Sequence, residues 1–237
     1  MLNKIILASK SEVRKEILNK HNLPCDVKPS NVDEDVVKES LINEQASPEI
    51  ISKNLAELKA NKVSLNQRDQ LVLGADSVID LDGELISKPD NREEALVILK
   101  KLNGKKHYLI SSVCISKNGS MIWNYTDKAE LTMKNFTDED LEVYLSKIPD
   151  KSLFAYNVYQ IEGEGRNLFL NITGDEDTIM GLPVLKIKEY LKNQEISRID
   201  KMKKYLVVGN PIDHSLSPTL HNYWIKNSNI KAIYEKQ

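Results

Sequence analysis

The sequence predicts an α/β or α+β domain, and three observations carry the prediction. Apolar runs of strand length are interleaved with segments whose apolar residues recur at helical spacing. Two dipeptides, Asp82-Gly83 and Asn118-Gly119, follow or sit inside such runs and signal tight hairpins. The composition, 41% hydrophobic and 29% charged over 237 residues, is that of a globular chain able to build one large domain or two small ones.

In chain order, Lys4-Ile5-Ile6-Leu7-Ala8 suits a buried strand, and Ser9-Lys10-Ser11 leads into a helical pattern from Glu12 to Leu18. Pro48 to Leu65 forms a second helix through Ile51, Leu55 and Leu58. Leu71 to Ile79 is an apolar strand interrupted by Asp76, and Asp82-Gly83 turns it into a hairpin. Asn91 to Leu102 is helical through Ala95, Leu96, Leu99 and Leu102, with Gly104 as its stop. A second hairpin covers Val113 to Trp123. Thr137-Asp138-Glu139-Asp140 reads as a capping box before Leu141, Tyr144 and Leu145. Gly181-Leu182-Pro183 opens a helix from Val184 to Leu191. Lys192 to Lys204, charged and poor in apolar residues, reads as a linker, and a fresh strand begins at Tyr205. The tail beyond it is too short for a core of its own and is expected to be disordered.

Several classes of function are excluded. No stretch approaches the roughly 18 apolar residues of a membrane helix, and Met1 to Ser9 is too short for a secretory signal, so a cytoplasmic protein with no membrane partner is expected. A formal charge of −2 argues against a nucleic-acid coat. Cys25 and Cys114 have no CxxC or Cys/His spacing and read as interior or half-buried thiols. Neither a Walker-type glycine loop nor a dinucleotide fingerprint is present. His21, His107, His214 and His221 form no metal spacing within the first 200 residues.

Five groups of residues can carry chemistry. Ser9, Ser11 and Arg14 stand at a strand-to-helix junction, where free N–H groups attract anions; simple capping by Ser11 is the alternative. Asp76 inside an apolar strand needs compensation, as a general base, a metal ligand or a strand-edge residue facing solvent. Asp33-Glu34-Asp35 can supply oxygens to magnesium, or be a solvated acidic loop. Lys59 and Lys88 are candidate phosphate partners, Lys88 being held extended by Pro89. Tyr159-Gln160-Ile161-Glu162-Gly163-Glu164-Gly165 offers an amide and a carboxylate beside glycines, suited to reading a base edge or to an ordinary turn.

Taken in order, Ile6-Leu7-Ala8-Ser9-x-Ser11-x-x-Arg14, Gly74-Ala75-Asp76-Ser77-Val78, Ser87-Lys88-Pro89, Tyr159-Gln160-x-Glu162-Gly163-x-Gly165 and Gly181-Leu182-Pro183 resemble the Maf family over residues 1–192. The resemblance implies an α/β fold: a Maf-like, inosine triphosphatase-like mixed sheet flanked by helices. It implies a nucleoside triphosphate pyrophosphatase that cuts between the α and β phosphates, linked to septum formation and to removal of non-standard nucleotides. Asp76 would be the proton acceptor, and Ser9, Ser11, Arg14, Lys59 and Lys88 would hold the triphosphate. Glu34 and Asp76 would hold a divalent cation, magnesium or manganese. Ser77, Gln160 and Glu162 would complete the substrate site, and a homodimer is the assembly to test. Ser11-Glu12-Val13-Arg14 replaces the family's Ser-Pro-Arg-Arg, Ser77 stands where the branch acting on dTTP and UTP has threonine, and Glu162 where it has glutamine. A glutamate there resembles the branch accepting 7-methyl-GTP; the preferred base stays open.

Val207-Val208-Gly209-Asn210-Pro211-Ile212-x-His214-Ser215-Leu216-Ser217-Pro218-x-x-His221-Asn222 is similar to the opening of shikimate dehydrogenase, whose serines matching Ser215 and Ser217 bind the substrate carboxylate. The expected organisation is therefore a pyrophosphatase domain over 1–197 and, over 198–237, a linker with a short incomplete α/β appendage. No dinucleotide fingerprint accompanies the appendage, so dehydrogenase activity is not expected of this chain. The alternatives are a bifunctional protein completed in a longer product, and a nucleotide-binding septum regulator without turnover.

Overall fold

The computed structural model describes residues 5–150, 153, 158, 159, 161, 163–200, 203–228 and 230–237. The described chain divides into two compact units, one reaching Lys186 and one from Ile187 to Gln237. Helix α7 (Val184–Asp200) crosses that division and continues through most of the stretch expected to be a linker. The difference has a simple cause. Lys, Gln, Glu and Arg, which occur in this stretch, are good helix formers, and a charged segment with few apolar residues can extend a helix whose packed part lies upstream.

The first unit is built on one mixed sheet, seven-stranded among the described residues. Strands β1 (Ile5–Leu7), β2 (Cys25–Val27) and β3 (Val72–Leu81) pair in parallel, with β1 between the others. On the other edge of β3 runs β5 (Lys106–Lys117), antiparallel, then β6 (Ser120–Met133) and β7 (Phe169–Thr173). The short β4 (Glu84–Ile86) pairs back on β3 through the Asp82-Gly83 turn, whose residues take φ of +54° and +87°. Both sequence-marked hairpins form, the β5–β6 turn using Asn118 at φ +52° and Gly119 at +84°. The class is α/β with a mixed sheet flanked by helices.

Leu109 to Ile115 of β5 are all buried, as expected of a central strand covered on both faces. Helix α3 (Pro48–Ser64) covers one face of β3 and β5, burying Ile51, Leu55, Ala56, Ala60 and Val63. Its approach is close: a Cβ at Gly74 would lie 2.1 Å from the Ala56 carbonyl oxygen and 2.8 Å from the Ala60 nitrogen. Only glycine permits this spacing. Further along the sheet, α4 (Arg92–Leu102) and α5 (Asp138–Lys147) bury Leu99, Leu102, Leu141 and Leu145 against Ile79, Leu131 and Phe169. The Thr137–Asp140 capping box is present, with both reciprocal bonds made. Helix α1 (Glu12–Lys20) is capped by Ser11, α2 (Glu34–Asn43) by Asp33, and the short α6 (Glu176–Ile179) by Asp175. The acidic triplet read as a candidate loop therefore opens a helix.

In the second unit β8 (Lys203–Val207) and β9 (Ala232–Lys236) form a parallel pair joined by α8 (Ser217–Asn227). Disorder was the expectation for this tail, and the described residues form a βαβ unit instead. The Asn222 side chain replaces missing ladder partners: it donates to the Tyr234 carbonyl and accepts from the Tyr234 N–H, both at 2.8 Å. His221 stacks on Tyr234 at 4.3 Å. Among its described residues from Lys203 onward, Ala232 is the one apolar residue that is buried.

Candidate active site

The pairing pattern of β3 creates the site. One edge pairs with β5 from Val72 to Asp80, while the other pairs with β1 at Val72 and Leu73 and with β4 only from Ile79 onward. Among the described residues, Gly74 to Val78 therefore present an edge without a strand partner, between the end of β1 and the start of β4. A cavity of about 860 Å³ opens there, lined by Ser9, Ser11, Arg14, Glu34, Lys59, Asp76, Ser77 and Lys88 among others. A crevice beyond the carboxyl ends of parallel strands, where neighbours diverge, is the usual ligand position in such sheets.

Asp76 lies on the face of β3 covered by α3. It is 6% exposed, and its Oδ1 accepts from Lys59 Nζ at 2.8 Å. Lys59, itself 6% exposed, also reaches Glu34 Oε2 at 2.9 Å, so one ammonium bridges two carboxylates. Asp76 Oδ2 is buried and has no hydrogen-bond partner among the described residues. Burial pushes the Asp76 carboxyl above the ordinary carboxylate range, against the pull of Lys59 and Arg14. Partial burial works the same way on Glu34, but Lys59, with Lys38 and Arg14 behind it, outweighs it and leaves that carboxyl below its ordinary value. The two acids thus differ in proton affinity within one site, the pattern of a base beside a charge-holding partner.

Ser9 and Ser11 stand at the N-terminus of α1. Ser9 Oγ accepts from the Ser11 N–H and from Arg14 Nη1, each at 3.2 Å, and Ser11 Oγ caps the Arg14 N–H. Arg14 is deeply engaged: Nε donates to the Gly181 carbonyl at 3.0 Å, Nη1 to the Ala75 carbonyl at 3.0 Å, and Nη2 to Ser77 Oγ at 3.1 Å. Burial lowers its pKa, which for a guanidinium still means a permanent charge. Ser77 Oγ also meets Ser111 Oγ at 3.0 Å, and Ser111 Oγ donates to the Thr178 carbonyl at 2.8 Å. His21 Nε2 lies 2.7 Å from Asp177 Oδ2, which ties the end of α1 to α6 and braces the Gly181 wall. Lys88 borders the cavity within reach of solvent; partial desolvation first, then the positive charge of Arg14, lowers its pKa.

The structure brings eight of the sequence-selected residues to this one cavity: Ser9, Ser11, Arg14, Glu34, Lys59, Asp76, Ser77 and Lys88. Gln160 and Glu162 lie outside the described residues; their described neighbours Tyr159 and Ile161 line the wall. Lys38, Ser52 and Ser111 were missed. Lys38 stands four residues after Glu34, a helical spacing that would have flagged it had α2 been recognised. Ser52 Oγ donates to the Asp76 carbonyl at 3.2 Å, and Ser111 faces Ser77 through a strand register that no local pattern encodes.

No group of three or more His, Cys, Asp or Glu side chains that could hold a metal by itself occurs among the described residues. A magnesium-type cation needs less: one or two carboxylates, several waters and substrate phosphates. The unpartnered Asp76 Oδ2 beside half-exposed Glu34 fits that requirement. No helix of the described residues is long and apolar enough to cross a membrane.

Comparison with known proteins places the chain in a family. The profile of the Maf-like protein family matches residues 4–194, and that of the shikimate dehydrogenase substrate binding domain matches residues 207–237. A nucleoside triphosphate pyrophosphatase of Pelagibacter ubique is 72% identical over 192 residues, covering 81% of this chain and 98% of its own. A 7-methyl-GTP pyrophosphatase of Rhizobium etli is 34% identical over 200 residues, covering 84% of this chain and 100% of its own. A nucleoside-triphosphatase, dITP/XTP pyrophosphatase structure from Mycobacterium abscessus aligns with 55% of this chain and 72% of its own, at 12% identity and a TM-score of 0.34. With the family profile spanning 4–194 and a relative at 72% identity matched over 98% of its length, the chain belongs to the Maf family.

Proposed function

We propose that this protein hydrolyses nucleoside triphosphates at the α–β anhydride bond, releasing a nucleoside monophosphate and pyrophosphate. The observation that carries the reading is Asp76: a buried carboxylate with one oxygen held by Lys59 and the other without a hydrogen-bond partner among the described residues, on the wall of a cavity that also holds Lys10, Lys38 and Lys88. Relatives named for this activity match the chain over nearly their whole length.

In this reading Asp76 Oδ2 takes the proton of the attacking water as the water oxygen bonds to phosphorus and the bridging oxygen leaves with the pyrophosphate. Its raised proton affinity makes it a better acceptor than an ordinary aspartate. Lys59 fixes Oδ1, so the carboxylate cannot rotate away. The lysines and the α1 N-terminus, with Ser9 and Ser11, neutralise and orient the polyphosphate; such positioning and electrostatics carry phosphoryl chemistry. A magnesium or manganese ion held by Glu34 and Asp76 with the substrate would add neutralising charge. Domain 1–197 carries the activity, with 198–237 appended. Gln160 and Glu162 read the base, and the carboxylate of Glu162 suits a cationic ring. A cytoplasmic setting, a homodimer, and roles in septum formation and removal of non-standard nucleotides belong to this proposal through the family resemblance alone.

The test is product analysis by phosphorus NMR with magnesium or manganese, over a panel including dTTP, UTP, GTP, dITP and 7-methyl-GTP. Monophosphate and pyrophosphate are expected from at least one of them. Orthophosphate and a nucleoside diphosphate, or silence across the panel, would overturn the reading.

A further inference from the structure

We propose that Arg14 is a positioning residue: its guanidinium replaces the missing strand at the open edge of β3 and clips that edge to the Gly181 turn, and it is not a phosphate ligand. The backbone series carries the inference. Along this edge the carbonyls of Leu71 and Leu73 accept from the N–H groups of Ile6 and Ala8, at 2.9 and 2.8 Å. The next carbonyl in the series is that of Ala75. There β1 has ended, and Arg14 Nη1 donates to it at 3.0 Å. An unpaired carbonyl beside the base would otherwise be left for the cavity water.

The donors are nearly used up. A guanidinium has five N–H groups, and Gly181, Ala75, Ser9 and Ser77 take one each. At most one remains, so bidentate phosphate binding, the usual reason to use arginine, is closed to it. Lys10, Lys38 and Lys88, all on the same cavity, are better placed to serve the phosphates.

Gly181 supplies an independent observation. It sits at φ +97°, and a Cβ there would lie 2.9 Å from Ser77 Oγ and 3.6 Å from Arg14 Nε. The turn is shaped to bring its carbonyl onto the guanidinium. The clip therefore joins three pieces distant in sequence: the Ser9 loop, the strand carrying Asp76, and the turn after α6. Its loss lets these walls drift, and a displacement of about 1 Å at a reacting centre can cost about a hundredfold in rate.

The kinetic part of this inference rests on the pyrophosphatase reading, whereas the structural part does not. The experiment compares wild type with Arg14→Lys and Arg14→Gln in the full chain. Amide hydrogen exchange is followed over residues 176–184, with kcat, KM and the inhibition constant of inorganic pyrophosphate. Exchange is expected to accelerate more than tenfold in both variants. We expect kcat to fall about a hundredfold in both, with KM and pyrophosphate inhibition within about threefold of wild type and no rescue by lysine. Unchanged exchange overturns the proposal. So does a tenfold weakening of pyrophosphate inhibition in Arg14→Gln that Arg14→Lys restores, because a charge contact behaves that way. Should neither Arg14 variant fold, Ser77→Ala removes a single acceptor of the clip and must show the same split between kcat and KM, at smaller amplitude; a pure KM effect there overturns the proposal. If wild type releases no pyrophosphate, the functional reading fails, and the exchange result alone decides the clip.

Discussion

Replacing Lys59 by methionine keeps most of its stem and removes the charge that bridges Asp76 and Glu34. Two unit charges at the observed 2.8 Å attract by about 6 kcal/mol at an effective dielectric near 20, an upper bound on the loss. The carboxyl has a cheaper way out, which is to fold protonated. Relative to its ordinary value of 3.8, that costs about 1.4 kcal/mol per pH unit, hence about 4.4 kcal/mol at pH 7 and about 1.6 at pH 5. Asp76 is already raised in the wild type, so the wild type has incurred part of this at pH 7, and the expected loss is about 2–4 kcal/mol. The sign follows from the direction of the shift. A carboxyl raised in the folded state favours folding most below its unfolded value, and its contribution declines as pH climbs through the window above 3.8. Removing Lys59 extends that window upward, so the two proteins diverge with rising pH. Glu34, half exposed, relaxes into water and adds little. Urea unfolding at pH 5 and pH 7, read from Trp123 with Trp224 replaced by phenylalanine, measures the difference. A loss equal at both pH values, or below about 1 kcal/mol at pH 7, would refute the idea that Lys59 compensates a buried charge.

Two further outcomes follow from the same site. Gly74→Ala places a methyl 2.1 Å from the Ala56 carbonyl oxygen, where backbone rather than a flexible side chain must yield; a loss of about 3 kcal/mol is expected from overpacking, together with a fall in kcat as α3 carries Lys59 away from Asp76. A change within about 0.5 kcal/mol in urea unfolding would show that the close approach is not as drawn. The pH profile of kcat/KM should rise through an apparent pKa above the ordinary aspartate value as Asp76 ionises. On the alkaline side it should fall before the ordinary lysine value as Lys88 loses its charge. A Lys59→Met variant should move the acid limb upward, and an unmoved limb would assign that limb to another group.

The elements legible in the sequence were those whose signal is local. Val72 to Leu81, the Asp82-Gly83 and Asn118-Gly119 turns, and the Thr137 capping box all declare themselves within a few residues, and each is found at or within a few residues of its expected place. Helix α2 was hidden because it buries no residue, so it shows little apolar stripe. Strands β2 and β7 are short edge strands whose pairing depends on partners far along the chain. Asp76 was conspicuous because a carboxylate in an apolar strand demands an explanation. The roles around it were not. That Lys59 rather than another of the many lysines meets Asp76 depends on the Gly74 close approach, and that Arg14 faces backbone carbonyls depends on where β1 ends. Such facts belong to tertiary register, which local spacing does not carry.

The most direct test of the central claim is the initial rate of pyrophosphate release by wild type and by Asp76→Asn, each with magnesium or manganese and the substrate the panel selects. The amide preserves size and can still accept from Lys59 through its carbonyl oxygen, so the fold should hold while the proton acceptor is lost. A rate reduced by at least about a thousandfold, with unfolding no less cooperative than in wild type, is expected from removal of the base. Turnover within tenfold of wild type would contradict the assignment of Asp76 and with it the mechanism built on its unpartnered oxygen.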